Sequence, residues 1–450
     1  MNTFLNRSPL LSSNDPNVVR ELIRDYFHQT ADLYERLFQC LVSDEAYYVK
    51  PIILRHPLIF YYGHTNTFFI NKLILAGLIT ERVNPQFESL FAVGVDEMAW
   101  DEESTLNYNW PTPLQVKDYR VCVREVVDKL ITTLPLNLPI DWKNLWWPIL
   151  MGIEHERIHL ETSSVLIRQH ALHFVQSLDF WAPCEAIDAI APINSLVDIP
   201  ENFIKLSKSA EYFGWDNEYG DFETQCPAFH AAKYLTSNAE FFTFVEAGGY
   251  KQDLYWQEEG LVWRHYAQAK HPTFWLKKGD VWKLRLMTEE IDMPWSWPVE
   301  VNYHEAKAFC NWQSANTGKQ VRMPTEQEWY SLYSHAGLSD EKVASSMNAN
   351  LFLDHYSSPC PVNTFAHGDL FDVVGNAWQW TETPIFPFDG FKVHPLYDDF
   401  TTPTYDGRHN IIKGGSWIAT GNEALKSARY AFRRHFFQHA GFRYIVTDTP

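Results

Sequence analysis

The strongest constraint on the fold is a change of texture near residue 180. Before it, apolar residues recur at helical spacing; after it, Gly, Pro, Asn and Trp break the pattern into short runs. The stretch "DPNVVRELIRDYFHQTADLYERLFQCL" opens with Asp15 and Pro16 in N-cap and first-turn positions. It then places Val18, Leu22, Tyr26, Leu33, Leu37 and Leu41 near a 3.6-residue period. "HPLIFYYGHTNTFFINKLILAGL", with Gly77 as a C-cap, and "PLQVKDYRVCVREVVDKLITTL", starting near Pro113, read as two further helices. A fourth contains "MGIEHERIHLETSSVLIRQ", Met151 to Gln169. Four long helices predict a four-helix bundle over residues 1–180, whose facing helices can project ligands into the core. A stretch with three prolines then reads as a linker, residues 181–200, and residues 201–450 as a loop-rich α+β domain. Within that domain "VNYHEAKAFCNWQSANTG" is predicted helical, and "WKLRLM" and "GFRYIV" are predicted strands.

The fourth helix contains the zinc-protease pattern H-E-x-x-H. A helix advances ~100° per residue, so His155 and His159 share one face and can bind one ion. A protease needs Glu156 as general base and a third ligand downstream, but Thr162, Val165 and Ile167 stand where the extended pattern needs glycine or histidine. His170, His173 and Glu185 are irregularly placed alternatives. The second helix offers His64 within "FYYGHTNTFF". Alone, His64 reads as a core histidine satisfied by a hydrogen bond; beside His155 and His159 on a facing helix it becomes a third ligand. Three imidazoles leave positions open for substrate and O2 on iron, or for water on zinc, and spacing does not choose between them. Glu161 lies roughly 200° around from His159 and suits a supporting or packing role. Glu154 and Arg157 read as charges on the helix surface.

Composition narrows the partners. Acidic residues outnumber basic ones, 56 to 37, for a net charge of −19, which argues against general attraction to nucleic acid or anionic lipid and favours small molecules. The six cysteines form no C-x-x-C pair and so suggest neither a zinc ribbon nor a disulfide framework; a reducing compartment fits. The N-terminus lacks the apolar core of a secretory signal, and no stretch approaches the ~20 apolar residues of a spanning helix. The expectation is a soluble, cytoplasmic chain.

His64, then H-x-x-x-H-x-E at His155, His159 and Glu161, then "RMPTEQEW", "VVGNAWQWTET", "KGGSW" and "GFRYIV" together resemble the non-haem iron sulfoxide synthases of thiol-histidine biosynthesis. That resemblance implies a DinB-like helical bundle followed by a formylglycine-generating-enzyme-like domain with a C-type-lectin-like fold. "RHPLIFYYGHTNTFFINKL", "NPQFESLFAVGVDEMAWDE", "MGIEHERIHLETSSVLIRQ" and "AFRRHFFQHAGFR" look like the ovothiol branch, the 5-histidylcysteine sulfoxide synthases, more than the ergothioneine branch. It implies Fe(II) held by His64, His155 and His159, with cysteine, histidine and O2 as substrates. The implied product carries a C–S bond at imidazole C5 and a sulfoxide. The alternatives are a synthase using another sulfur or selenium donor or a trimethylated histidine, a zinc hydrolase, and a non-catalytic lectin-like binding module.

Zwitterionic substrates need carboxylate partners, and Arg429, Arg433 and Arg434 in "SARYAFRRHFF" are the candidates, with a solvated basic patch as the plainer reading. Where the ergothioneine relatives carry asparagine, tryptophan and aspartate, this chain has Ser427, Ala428 and Arg429, so free histidine and cysteine are the expected substrates. The family also places a tyrosine near the iron to supply a proton or electron. Tyr397 is the first match and Tyr405 the second, while alignment at Phe386 would leave no proton donor. Tyr444 follows "GFR" and no cysteine lies beyond Cys360, so the cysteine chemistry of formylglycine generation is not expected. No Gly-rich nucleotide-binding unit follows either, so methylation is expected to belong to a separate protein.

Overall fold

The computed structural model describes residues 6–92, 108–345 and 348–447. The "NPQFESLFAVGVDEMAWDE" stretch from residue 93 onward lies outside the described residues. Helices run over Pro16–Phe38, Leu58–Leu75, Pro113–Thr133 and Trp147–Gln169 and form the bundle. Their ends follow from local chemistry. Asp15 accepts a hydrogen bond from the Asn17 amide, and Pro16 needs no donor in the first turn. Thr112 and Gln115 cap the third helix reciprocally. Gly77, at φ +69°, closes the second helix with its amide on the Ile74 carbonyl and that of Leu78 on Leu73.

The buried face of the first helix keeps Tyr26 and Leu37, with Leu41 just beyond it, as read from the sequence and is one residue off in its first two turns. Val19, Ile23, Tyr26, Phe27, Tyr34, Leu37 and Phe38 are buried, whereas Val18 and Leu22 face solvent. Two apolar stripes lie side by side there, and only packing chose between them. The fourth helix differs more. All of its residues except Ile158 and Gln169 are buried, because the first and second helices cover one side and the second domain covers the other. Glu154 and Arg157, expected on the surface, are each only 1% exposed.

The second domain begins inside the stretch expected as linker. Leu196–Ile199 pairs antiparallel with Phe229–Ala232, which pairs with Ile445–Thr447, which in turn pairs with Gln320–Arg322. The strand Ile445–Thr447 therefore lies inside the sheet, between Phe229–Ala232 and Gln320–Arg322. A second sheet runs Tyr430–Arg433, His409–Lys413, Trp378–Pro384 and Ala440–Gly441, the last pair parallel. The predicted helix spans Tyr303–Thr317, capped by Asn302, and "WKLRLM" supplies the strand Val281–Arg285. Trp297, Trp329, Trp378, Trp380 and Trp417 are fully buried, which is where the aromatic-rich composition is used.

The domains are joined by buried polar contacts along the fourth helix. Trp378 Nε1 donates to Glu161 at 2.6 Å, and the Asn422 amide donates to Glu154 at 2.9 Å. Arg168 forms an ion pair with Glu300 at 2.6 Å. Gly421 (φ +58°) lets the loop press in: a Cβ there would lie 2.1 Å from Tyr26 Oη. Among the described residues no helix is long and apolar enough to cross a membrane.

Candidate metal centre

His64 from the second helix and His155 and His159 from the fourth converge at the bundle centre, with one donor nitrogen of each lying within 4.8 Å of the others. They are 7%, 2% and 4% exposed. His64 Nδ1 lies 2.6 Å from the Phe91 carbonyl. A carbonyl only accepts, so Nδ1 carries the proton and Nε2 carries the lone pair. Phe68, one turn beyond His64, stacks on His155 at 3.7 Å and 8° and fixes that ring. The Nε2 atoms of His155 and His159 face each other at 3.2 Å. Their Nδ1 atoms are buried without a hydrogen-bond partner among the described residues.

This donor set fits a metal ion. Nitrogens bound to one first-row ion at ~2.1 Å stand about 3.0–3.4 Å apart, which brackets the His155–His159 separation. Burial and the neighbouring imidazoles push His155 and His159 well below the usual histidine range, keeping them in the neutral, metal-binding form. Among the described residues no carboxylate or cysteine joins the three histidines, so a bound ion keeps open positions.

Glu156 belongs to a different environment. Its Oε1 accepts from Arg120 Nη2 at 2.9 Å and from Thr65 Oγ1 at 3.1 Å, inside the bundle. A carboxylate held in a buried ion pair and absent from the cavity wall is not placed as a protease base. Glu161 accepts from Trp378 and Ser416 and ties the ligand helix to the second domain.

A cavity of about 450 Å³ opens from the histidines between the bundle and the second domain. Tyr397 lines it, with its ring centroid 6.1 Å from that of His155 and 4.9 Å from that of Phe68. Tyr405 is not on its wall and packs against Phe391. The arginines divide. Arg429 reaches the wall, but Nε and Nη2 lie on Glu326 at 3.0 and 3.1 Å, and Nη1 donates to the Asn217 carbonyl. Arg434 is held by Glu259 and Asn410, and neither it nor Arg433 lines the cavity. Of the three expected carboxylate partners Arg429 alone lines the cavity, because the strand Tyr430–Arg433 passes it before Arg433 is reached. The wall also carries Arg55, Lys72 and Asp399, which the sequence reading missed. Lys72 had a legible signal: it follows His64 and Phe68 at four-residue steps on one helical face.

Residues 192–448 match the model of the sulfatase-modifying factor enzyme 1-like domain, and residues 26–163 match the DinB superfamily. The chain belongs to the sulfatase-modifying factor enzyme 1-like family. In this chain a helical DinB-type domain precedes the sulfatase-modifying-factor-like domain, which has the C-type-lectin-like fold. The chain is similar to hercynine oxygenase of Mycobacterium tuberculosis, 29% identical over 51% of this chain and 55% of that protein. It is also similar to hercynine oxygenase of Mycolicibacterium smegmatis, 26% identical over 79% of this chain and 84% of the relative. Ergothioneine biosynthesis protein 1 of Schizosaccharomyces pombe is 24% identical over 90% of this chain and 52% of its own length. The match thus spans about half the length of the first and third of these relatives.

Proposed function

We propose that this protein is an Fe(II)- and O2-dependent sulfoxide synthase that couples a thiol to an imidazole. The observation that carries the reading is the three-histidine cluster opening onto a cavity whose far wall, including Tyr397, comes from the second domain. The names of the relatives agree with oxidative chemistry on a histidine derivative. The finer assignment takes L-cysteine and L-histidine as substrates and 5-histidylcysteine sulfoxide as product. The balance is one thiol, one imidazole C–H and one O2 going to a C–S bond, a sulfoxide oxygen and one water; O2 accepts four electrons, two from C–S formation and two from sulfur.

Iron bound at the histidines would supply one-electron chemistry with O2 and acidify a bound thiol. The chain supplies geometry. His64 is oriented by the Phe91 carbonyl and His155 by the Phe68 ring, so the ligand face is set before substrate arrives. Phe68, Phe400 and Phe432 keep the cavity largely apolar, which holds two reactants together and limits water. Tyr397, close to the His155 ring, is the group assigned to hold a proton at the reacting centre.

Protein reconstituted with Fe(II) and given cysteine, histidine and O2 is expected to yield the mass of the histidyl-cysteine sulfoxide. Cysteine sulfinate as the sole product, or no O2 uptake, refutes the cysteine–histidine assignment, and the same outcome with trimethylated histidine refutes the coupling function. A second reading takes a trimethylated histidine, favoured by the hercynine oxygenases among the relatives. Histidine and its trimethyl form supplied together separate the two by product mass.

A further inference from the structure

Among the described residues the cavity wall holds three cationic side chains, Arg55, Lys72 and Arg429, in different situations. Arg429 is engaged by Glu326 and by backbone carbonyls. Arg55 donates through Nε to Tyr61 Oη at 3.2 Å. Lys72 is held differently. Its Nζ lies 4.2 Å from the centroid of the Tyr397 ring and 5.0 Å from that of Phe68, a cation resting on two aromatic faces. Asp398 and Asp399 act on it electrostatically, yet among the described residues no ion pair joins Lys72 to either. A half-buried ammonium whose close contacts are ring faces, with carboxylates acting on it only from beyond ion-pair distance, keeps its N–H donors for a charged acceptor.

Position says what that acceptor is. Long helical side chains lean toward the helix N-terminus, so from Lys72 the ammonium reaches back over Phe68 toward the histidines. Asp399 lines the same cavity two residues beyond Tyr397, placing a carboxylate near this ammonium. One cation and one anion on a shared wall, not joined to each other, match the two charges at the head of an α-amino acid.

We propose that Lys72 and Asp399 form a zwitterion clamp: Lys72 takes the α-carboxylate and Asp399 the α-ammonium of one amino-acid substrate, directing its side chain at the histidine cluster. The clamp rests on the coupling function proposed above and gives it the residues that read the head of a free α-amino acid. It also discriminates, because an ammonium with N–H bonds donates to Asp399 whereas a trimethylammonium has none to donate.

The test is calorimetric titration of the anaerobic, Fe(II)-reconstituted protein, where binding is read without turnover. The probes are L-histidine, L-cysteine and their decarboxylated counterparts, histamine and cysteamine. Wild-type protein is expected to bind one amino acid at least tenfold tighter than its decarboxylated counterpart. Lys72→Met should erase that difference, leaving affinity for the amine within twofold, while Lys72→Arg keeps most of it. Asp399→Asn should weaken the same amino acid and not the other. Turnover in Lys72→Met should show a raised KM for that amino acid alone, with thermal melting reporting that the variants are folded. Lys72→Met binding the amino acid as tightly as wild type overturns the clamp and leaves the coupling function standing. Wild-type protein that binds neither amino acid overturns both.

Discussion

Around the fourth bundle helix, the histidine face and the carboxylates that flank it are equally buried and oppositely treated. Each carboxylate is met by donors from the protein itself: on one flank Glu156, turned into the bundle, by Arg120 and Thr65, and on the other, against the second domain, Glu154 by Tyr26, Ser8 and the Asn422 amide and Glu161 by Trp378 and Ser416. Between these flanks His155 and His159 turn their Nε2 atoms toward each other, with His64 beside them. Buried polar groups cost free energy unless paired, so the carboxylates read as structure and the histidine face as a set of metal ligands. The H-E-x-x-H pattern takes in both the histidine face and one flank, which is why its glutamate and its histidines have separate roles.

The sharpest way to break this comparison is to exchange the two groups' expected responses. His155→Ala is expected to lower iron affinity by more than about 100-fold, beyond what loss of a group merely supporting a ligand does, while the protein stays folded. Anaerobic iron titration with a thermal melt checks it. Glu156→Gln should keep iron stoichiometry; iron loss equal to that of His155→Ala would erase the distinction.

The second effect is on stability. Arg120 bridges Glu156 at 2.9 Å and Glu35 at 2.5 Å, with 3% of its side chain exposed. Arg120→Met would strand a buried carboxylate and is expected to cost about 3–5 kcal/mol in a denaturant titration.

The smallest effect concerns pH. Burial raises the Glu161 carboxyl to about 8, with Glu300 adding to the rise. A raised carboxylate pKa means the folded state binds more protons than the unfolded one. This contribution to stability is therefore full below the ordinary carboxylate range and is lost as pH rises toward 8, by at most about 1.4 kcal/mol per pH unit. Glu161→Gln should flatten that slope between pH 5 and 8 in melting experiments, and an unchanged slope would assign it elsewhere.

Much of this was legible in the chain because it is local. Caps at Asp15 and Thr112, the glycine stop at Gly77, and the helices around His64 and His155 all follow from neighbours within a few residues. The i, i+4 spacing alone placed His155 and His159 on one face. Other features depended on distant packing. Val19 rather than Val18 faces inward, and Glu154 and Arg157 are interior, because a second domain covers a face that a lone bundle would leave in water.

The same division holds at the site. By itself the sequence determined the helical segments, the paired histidines of the fourth helix and the two-part texture, since hydrophobic period and capping act over a single turn. Only the tertiary structure decided that His64 completes the cluster, that Arg434 is held by Glu259 away from the cavity, and that Lys72 and Asp399 share a wall. Those are juxtapositions of residues tens to hundreds of positions apart. They arise when helix packs on helix, when distant segments of one domain meet, and when two domains bury a common surface, and no local period records them.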